Sequence, residues 1–362
     1  MTSRGVDLLA RAAPAAVALV GTGLLDAARG AAGRLADPAD VEALHDFRVA
    51  LRRLRTLLRS FRDELGPAVP KKLQRRLRDL ARATNPGRDA EVQLAWVRAH
   101  RAELGQRPAG LPWLLARLDD HRLRAYEAVR REVTHEFRQL ERRTRRALAP
   151  PPADAAPRGP TFAAAAVRVI RAQVVDLERE LAAAQAARDE EAIHAARIAA
   201  KRLRYVIEPL AAEVPQATTT IDQLKQLQDL LGELHDLSVL TGELGDAVAE
   251  AAAERARGLH AQALRGPARS RPTAPRRAPP GSAGLLALAR LAAEWHERLF
   301  QRLVTEWLDG ALPALVQAVM ALADALPVPV APVLPLPRRE PRPAAGVRHR
   351  RHAPPTVDRD AQ

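Results

Sequence analysis

A short basic segment occurs twice in this chain, 149 residues apart, and each copy has the spacing of a helix. The first copy reads His45-Asp46-Phe47-Arg48-Val49-Ala50-Leu51-Arg52-Arg53-Leu54-Arg55; the second reads His194-Ala195-Ala196-Arg197-Ile198-Ala199-Ala200-Lys201-Arg202-Leu203-Arg204. A histidine followed by cations at the same offsets, kept through extensive divergence, marks an internal duplication in which charge was retained. Packing alone does not require that.

Advancing about 100° per residue from His45 places Arg48, Arg52, Arg55, Arg59 and Arg62 between roughly 260° and 340°. Phe47, Leu51, Leu54, Leu57, Leu58, Phe61 and Leu65 fall between roughly 120° and 240°. One side of the helix is therefore an apolar wedge, and its neighbour is a cationic rail about 25 Å long. The second copy repeats the arrangement, with Leu203, Val206, Ile207 and Leu210 on its apolar side. It departs at Glu208, which falls where the first copy has Arg59, and Pro209 follows. Solvated helix faces normally mix signs, because like charges three or four residues apart oppose the helix. The only acid between positions 45 and 62 is Asp46, and it lies off the stripe. An uncompensated rail of this kind is tolerated when something anionic neutralises it.

Similarity continues beyond the rails. Leu77-Arg78, Leu80, Arg88-Asp89 and Val92 match Leu224-Lys225, Leu227, His235-Asp236 and Val239, at a constant offset of 147. The halves differ in charge. Residues 45–92 hold 13 Lys/Arg against 6 Asp/Glu, whereas 194–239 hold 5 against 6. A ligand is expected to lean on the first half.

Alanine, leucine and arginine dominate, and apolar residues recur at three- and four-residue steps, which predicts an all-α protein. The pattern places helices at about 6–35, 40–65, 69–84 and 111–148. A break at Asn85-Pro86-Gly87 is followed by a resumed helix at Arg88. The second half is predicted as helices at about 161–188, 189–210, 217–232, 234–260 and 284–325. Domain organisation follows: a first repeat over 1–150, a Pro-rich linker over 151–160 and a second repeat over 161–326. A disordered insertion is expected at about 266–284, and a disordered Pro/Arg-rich tail over 327–362.

The formal net charge is +14, and the four lysines (Lys71, Lys72, Lys201 and Lys225) leave 53 of the 57 basic residues as arginine. A high-GC genome explains part of that bias, but guanidinium groups also make two-pronged contacts with phosphate oxygens. With no cysteine in the chain, disulfides, thiolate metal sites and cysteine nucleophiles are excluded, and a reducing cytoplasm is consistent. No apolar run reaches the length of a membrane span, and the apolar stretch Ala15–Leu25 is read as helix rather than as a signal segment. Aromatic residues make up 3% of the chain and none interleaves the rails, against a dedicated single-strand nucleic-acid platform. Charge-driven binding to duplex nucleic acid stays open as the alternative.

The doubled His-x-x-Arg-x-x-x-(Arg/Lys)-Arg-Leu-Arg pattern, each copy followed by a basic helix and an Arg-Asp or His-Asp pair, resembles the conserved histidine α-helical domain family, CHAD. The resemblance spans most of residues 8–325. It implies two antiparallel four-helix bundles about a pseudo-two-fold axis, with a basic surface or pore that binds inorganic polyphosphate, and association with polyphosphate granules. By the same resemblance the contacts are His45, Arg48, Arg52, Arg53, Arg55, Arg59, Arg78, Arg88, His194, Arg197, Lys201, Arg202, Arg204 and Lys225. Some relatives carry a triphosphate tunnel barrel, but this chain has no Glu-x-Glu-x-Lys run and no strand alternation. A stand-alone, non-enzymatic module is expected, with a polyphosphate hydrolase or kinase accessory as the enzyme-class rival.

His100, His121, His135 and His296 have no ligand-like spacing and are read as structural or exposed. No metal, cofactor or catalytic constellation is expected. The pairs Arg88-Asp89 and His235-Asp236 suit either a carboxylate that orients a cation or a helix cap. Imidazole has a reference pKa near 6.5, so binding is expected to tighten from about pH 8 to 6, an effect that His45→Ala plus His194→Ala removes. A purely structural role for each histidine is the competing reading.

Overall fold

The structure, a computed structural model, describes residues 7–37, 40, 42–105, 109–149, 159–264 and 282–328. Among these residues the protein is all-α, with one isolated bridge between Ala12 and Thr161. The helix α1 spans Ala13–Arg34 and begins later than the periodicity suggests. Pro14 stands in its first turn, where a missing N–H costs nothing. Residues 7–12 instead form an arm, and the amides of Leu8 and Leu9 donate to the Glu213 carboxylate at 2.7 and 3.4 Å.

The first rail lies on α2, Glu42–Ser60. It bends at Phe61 into the single turn α3, Arg62–Leu65, which ends at Gly66 with φ +54°. That conformation is left-handed and favours glycine. Every residue of the predicted apolar wedge, from Phe47 to Leu65, is buried. Phe47 meets Phe137 edge-on at 5.1 Å between ring centroids.

Two further helices, α4 (Lys71–Ala83) and α5 (Asn85–Ala99), are separated by Thr84 alone. The predicted break at 85–87 is therefore a one-residue hinge. Pro86 sits in the first turn of α5, and the buried Gly87 packs beside Leu44 and Tyr126. The long predicted helix at 111–148 runs as α6 (Leu111–Ala128), a π-helical turn (Val129–Val133) and α7 (Thr134–Ala147).

The second half opens with α8, Phe162–Ala187, capped by the Thr161 hydroxyl, and α9, Glu190–Ile207, capped by the Asp189 carboxylate at 2.8 Å from the Ala192 amide. Side-chain acceptors at this position satisfy otherwise unpaired N–H groups. The predicted division between 217–232 and 234–260 does not exist, because α10 runs unbroken over Gln216–Ala263. Gly232 weakens a helix locally by about 1 kcal/mol, but Leu227, Leu230, Leu231, Leu234 and Leu237 are all buried around it and hold the helix through that point. A Cβ at Gly232 would stand 3.7 Å from Arg197 Nε, an ordinary van der Waals distance, so the rail cation packs beside α10 at this point. The last predicted helix consists of α11 (Ala283–Arg302), a π-helical stretch (Leu303–Ala311) and α12 (Leu312–Asp324).

The described residues up to Val328 form one compact unit. Within it α1 packs on α2 and α8 on α9, while α2 against α9 and α1 against α8 join the two halves. Of the described helices only α1 is long and apolar enough to cross a membrane by length and composition. Its Val17, Leu25 and Ala28 are buried in this core. Residues 151–158 of the expected linker, 266–281 of the insertion and the tail from 329 lie outside the described residues.

Candidate functional site

The two rails meet because the wedges that bury α2 and α9 leave their cationic flanks on adjoining sides. Arg52 of α2 lies within electrostatic reach of Arg197 and Lys201 of α9, and Arg59 within reach of Arg202. Arg52, Arg55, Arg59, Lys201 and Arg202 have no carboxylate within 4.0 Å among the described residues. Loss of solvent, then Arg197 and Arg52, pushes the Lys201 amine down to about 6. Burial also lowers Arg48 and Arg55 to about 10, with Arg52 the next cause for both. Arg197 and Arg202 are lowered chiefly by burial, and the buried Arg197 Nε has no hydrogen-bond partner. Desolvated like charges disfavour one another's charged forms, and a bound anion reverses that.

Two carboxylates adjoin this cluster. Asp89 on α5 lies near Arg48 and Arg88, and Asp236 on α10 lies 4.0 Å from Arg197. Both are raised by desolvation; Asp236 raises Asp89 further, while the arginines around them oppose the rise. Neither aspartate caps its helix, so the orienting reading fits and the capping reading does not. Arg48 reaches across from α2 to the Thr84 hydroxyl at 2.9 Å and to the Thr84 carbonyl. The hinge between α4 and α5 thus fixes the first cation of the rail.

The histidines diverge. His194 and His235 pair at 4.6 Å between ring centroids, each with a buried, unpartnered Nδ1. Both are pushed down, foremost by burial and then by Arg197, His235 to about 4. His45 is exposed on α2 and has no ring partner among the described residues, since Arg88 stands where the sequence match places His235. Of the remaining histidines, His100 stacks on Trp96 at 4.1 Å, His296 Nε2 lies 3.3 Å from Ser238 Oγ, and His121 Nδ1 lies 3.9 Å from Glu243.

Other sequence-predicted residues are engaged by carboxylates of this chain. Glu208 binds Arg53 at 2.7 Å and Arg204 at 3.3 Å, and both guanidiniums lie over the buried Tyr205 ring. Arg78 pairs with Asp79 at 3.1 Å, and Arg88 lies 3.5 Å from Glu91. Lys225 is exposed on α10, without a described contact to the rails. The sequence reading missed Tyr205, the clamp between the rails, and Arg82, which faces Arg55 from α4. The spacing of Arg78 and Arg82, four residues apart, is the available signal for the second.

Glu208 therefore holds Arg204 of the second rail, and Arg53 of α2, out of play. Glu208→Gln frees both, and titration of this variant with a polyanion is expected to show binding several-fold tighter than wild type, with a lower midpoint of thermal unfolding. Unchanged affinity would mean that Arg53 and Arg204 are structural only.

The residues that build this junction fall within one family match, since the CHAD domain model fits residues 21–245. The chain belongs to the CHAD domain family. A crystal structure of the CHAD domain from the plant Ricinus communis resembles this CHAD domain with a TM-score of 0.55 and 22% identity, covering 91% of this chain and 98% of that one. At that identity the likeness speaks for the fold. No curated protein matches this CHAD domain.

Proposed function

We propose that this CHAD domain binds inorganic polyphosphate where α2 and α9 meet, as a stand-alone, non-enzymatic module that works in the cytoplasm and associates with polyphosphate granules. The observation that carries the proposal is Arg52 set among Arg197 and Lys201, where Asp236, 4.0 Å from Arg197, is outnumbered by the cations and neither Arg52 nor Lys201 has a carboxylate within 4.0 Å among the described residues. Cations are forced together there in excess of the carboxylates beside them, and a chain of phosphates supplies a counter-ion at every step. Arginine dominates the rail, which suits two-pronged contacts with phosphate oxygens. Contacts of this kind release counterions, so affinity falls linearly with salt on logarithmic axes.

The test is a titration with polyphosphates of several lengths at two salt concentrations, followed by competition against duplex DNA. Polyphosphate is expected to displace DNA at a far lower phosphate concentration than the reverse. Preferential retention of DNA would instead favour a nucleic-acid partner on the same rails. Release of phosphate from long chains in the presence of magnesium would overturn the non-enzymatic part.

A further inference from the structure

A second cationic stripe lies outside the junction, on α7. Setting His135 at zero, Arg138, Arg142 and Arg146 fall within roughly 80° of it at 100° per residue. Phe137, Leu140 and Thr144, on the opposite side, are buried. Arg138, Arg142 and Arg146 are exposed, and no carboxylate lies within 4.0 Å of them among the described residues. Three arginines at successive four-residue steps oppose the helix that carries them. At the start of this stripe is a cavity of about 480 Å³ lined by Arg76, Arg131, His135, Glu136 and Gln139. It adjoins the π-helical turn Val129–Val133, a distortion often found at functional sites.

The helix α4 connects this stripe to the junction, since it packs against both α2 and α7. Measured from Arg78, Arg82 and Arg75 fall at roughly 40° and 60°, Lys72 at 120° and Arg76 at 160°. The apolar Leu73, Leu77 and Leu80, all buried, centre near 230°. At one edge of this arc Arg78 and Arg82 face Arg55 of the rail. At the other edge Arg76 contacts Glu136 of α7 at 3.2 Å. Asp79, paired with Arg78, is the only acid on α4.

We infer that a single basic track leaves the α2–α9 junction, turns over α4 and continues along α7, so that long polyphosphate chains gain contacts that short ones cannot reach. The inference rests on the polyphosphate reading of the junction. The track turns through close to half a circle around a helix some 10 Å across. A flexible inorganic chain follows such a bend, whereas duplex DNA, with a persistence length of about 150 base pairs, does not. That difference commits the α7 stripe to the flexible polymer.

The experiment compares tripolyphosphate with long-chain polyphosphate on the full chain, using the triple variant Arg138→Glu/Arg142→Glu/Arg146→Glu. Long-chain affinity is expected to fall at least about tenfold, with tripolyphosphate affinity unchanged. The milder Arg138→Gln/Arg142→Gln/Arg146→Gln variant relieves repulsion within α7 and guards against misfolding. It should lower the long-chain slope of log K against log salt by about 2, taking the single-strand coefficient for three phosphates no longer neutralised. An equal loss for both lengths, or none for the long chain, overturns the track. So does weakened duplex DNA binding with long-chain binding intact, which would assign the stripe to nucleic acid. If wild type binds tripolyphosphate but gains nothing from the α7 arginines, the track alone fails; if it binds neither length, the junction reading fails and takes the track with it.

Discussion

Reversing Arg52 and Lys201 together, as Arg52→Glu with Lys201→Glu, is expected to weaken polyphosphate binding at least about a hundredfold at low salt. A hydrogen bond to a charged group contributes about 1.5–3 kcal/mol, and each 1.4 kcal/mol is tenfold in affinity. Exchanging two such bonds for repulsion therefore exceeds two decades. The fold should survive, because the new carboxylates, although within reach of each other and of Asp236, face more cations than anions: Arg48 and Arg55 beside position 52, Arg197 and Arg204 beside position 201. A thermal midpoint close to that of wild type is the expected companion result. Arg98→Glu with Arg290→Glu, two exposed arginines on α5 and α11, makes the same change in net charge away from the rails. Equal weakening by this control would reduce the junction to a general field effect.

How far the site can be read from sequence depends on the range of the information. The wedge on α2 is fully legible, because Phe47 through Leu65 encode their burial by local period, and all are buried. The rails are legible for the same reason, as a run of like charges on one face needs no knowledge of the partner. Partners are not legible. In sequence Glu208 is a simple departure of the second copy from the first; in the structure it ties Arg53 to Arg204 across α2 and α9. Those partners lie 155 and four residues away, and only the shorter spacing is visible as a helical step.

The errors in the helix boundaries have a related origin. Local propensity makes Gly232 a terminator, yet the leucines around it pack on both sides and keep α10 continuous. Conversely, α1 begins only at Ala13 because the residues before it are drawn off as an arm onto Glu213, a long-range contact that periodicity does not carry. The π-helical turns at 129–133 and 303–311 leave no local signature, because one inserted residue per turn shifts the apolar period by less than its natural scatter. Desolvation is the least local property of all. Nothing in the motif distinguishes Lys201 from Arg202, although the structure makes only the first amine lose its charge near neutral pH.

That amine governs the second large expectation, the dependence of binding on pH. The groups facing Lys201 are Arg52 from α2, Arg197, Arg204 and His194 from α9, and Asp236 and His235 from α10. With its amine at about 6, the free protein holds Lys201 neutral at pH 8. A polyanion restores the charged form, so each binding event takes up about one proton. Affinity is then expected to rise by up to tenfold per pH unit from pH 8 toward 6 and to level off below, the one-proton limit of linkage. Stability of the free chain runs the opposite way. The folded amine lies below its unfolded value of about 10.4, the unfolded chain binds more protons between the two, and Lys201 contributes a stability that increases as pH rises through that window. The sequence points to the motif histidines as the source of any pH dependence, yet His194 and His235 are pushed down and stay neutral over most of this range. Lys201→Arg, which keeps a permanent charge, should flatten the profile between pH 6 and 8, while His45→Ala with His194→Ala should leave its slope in place. Calorimetry in two buffers of different ionisation enthalpy reads the proton uptake directly, and a slope that survives Lys201→Arg but vanishes in the double histidine variant would return the role to the imidazoles.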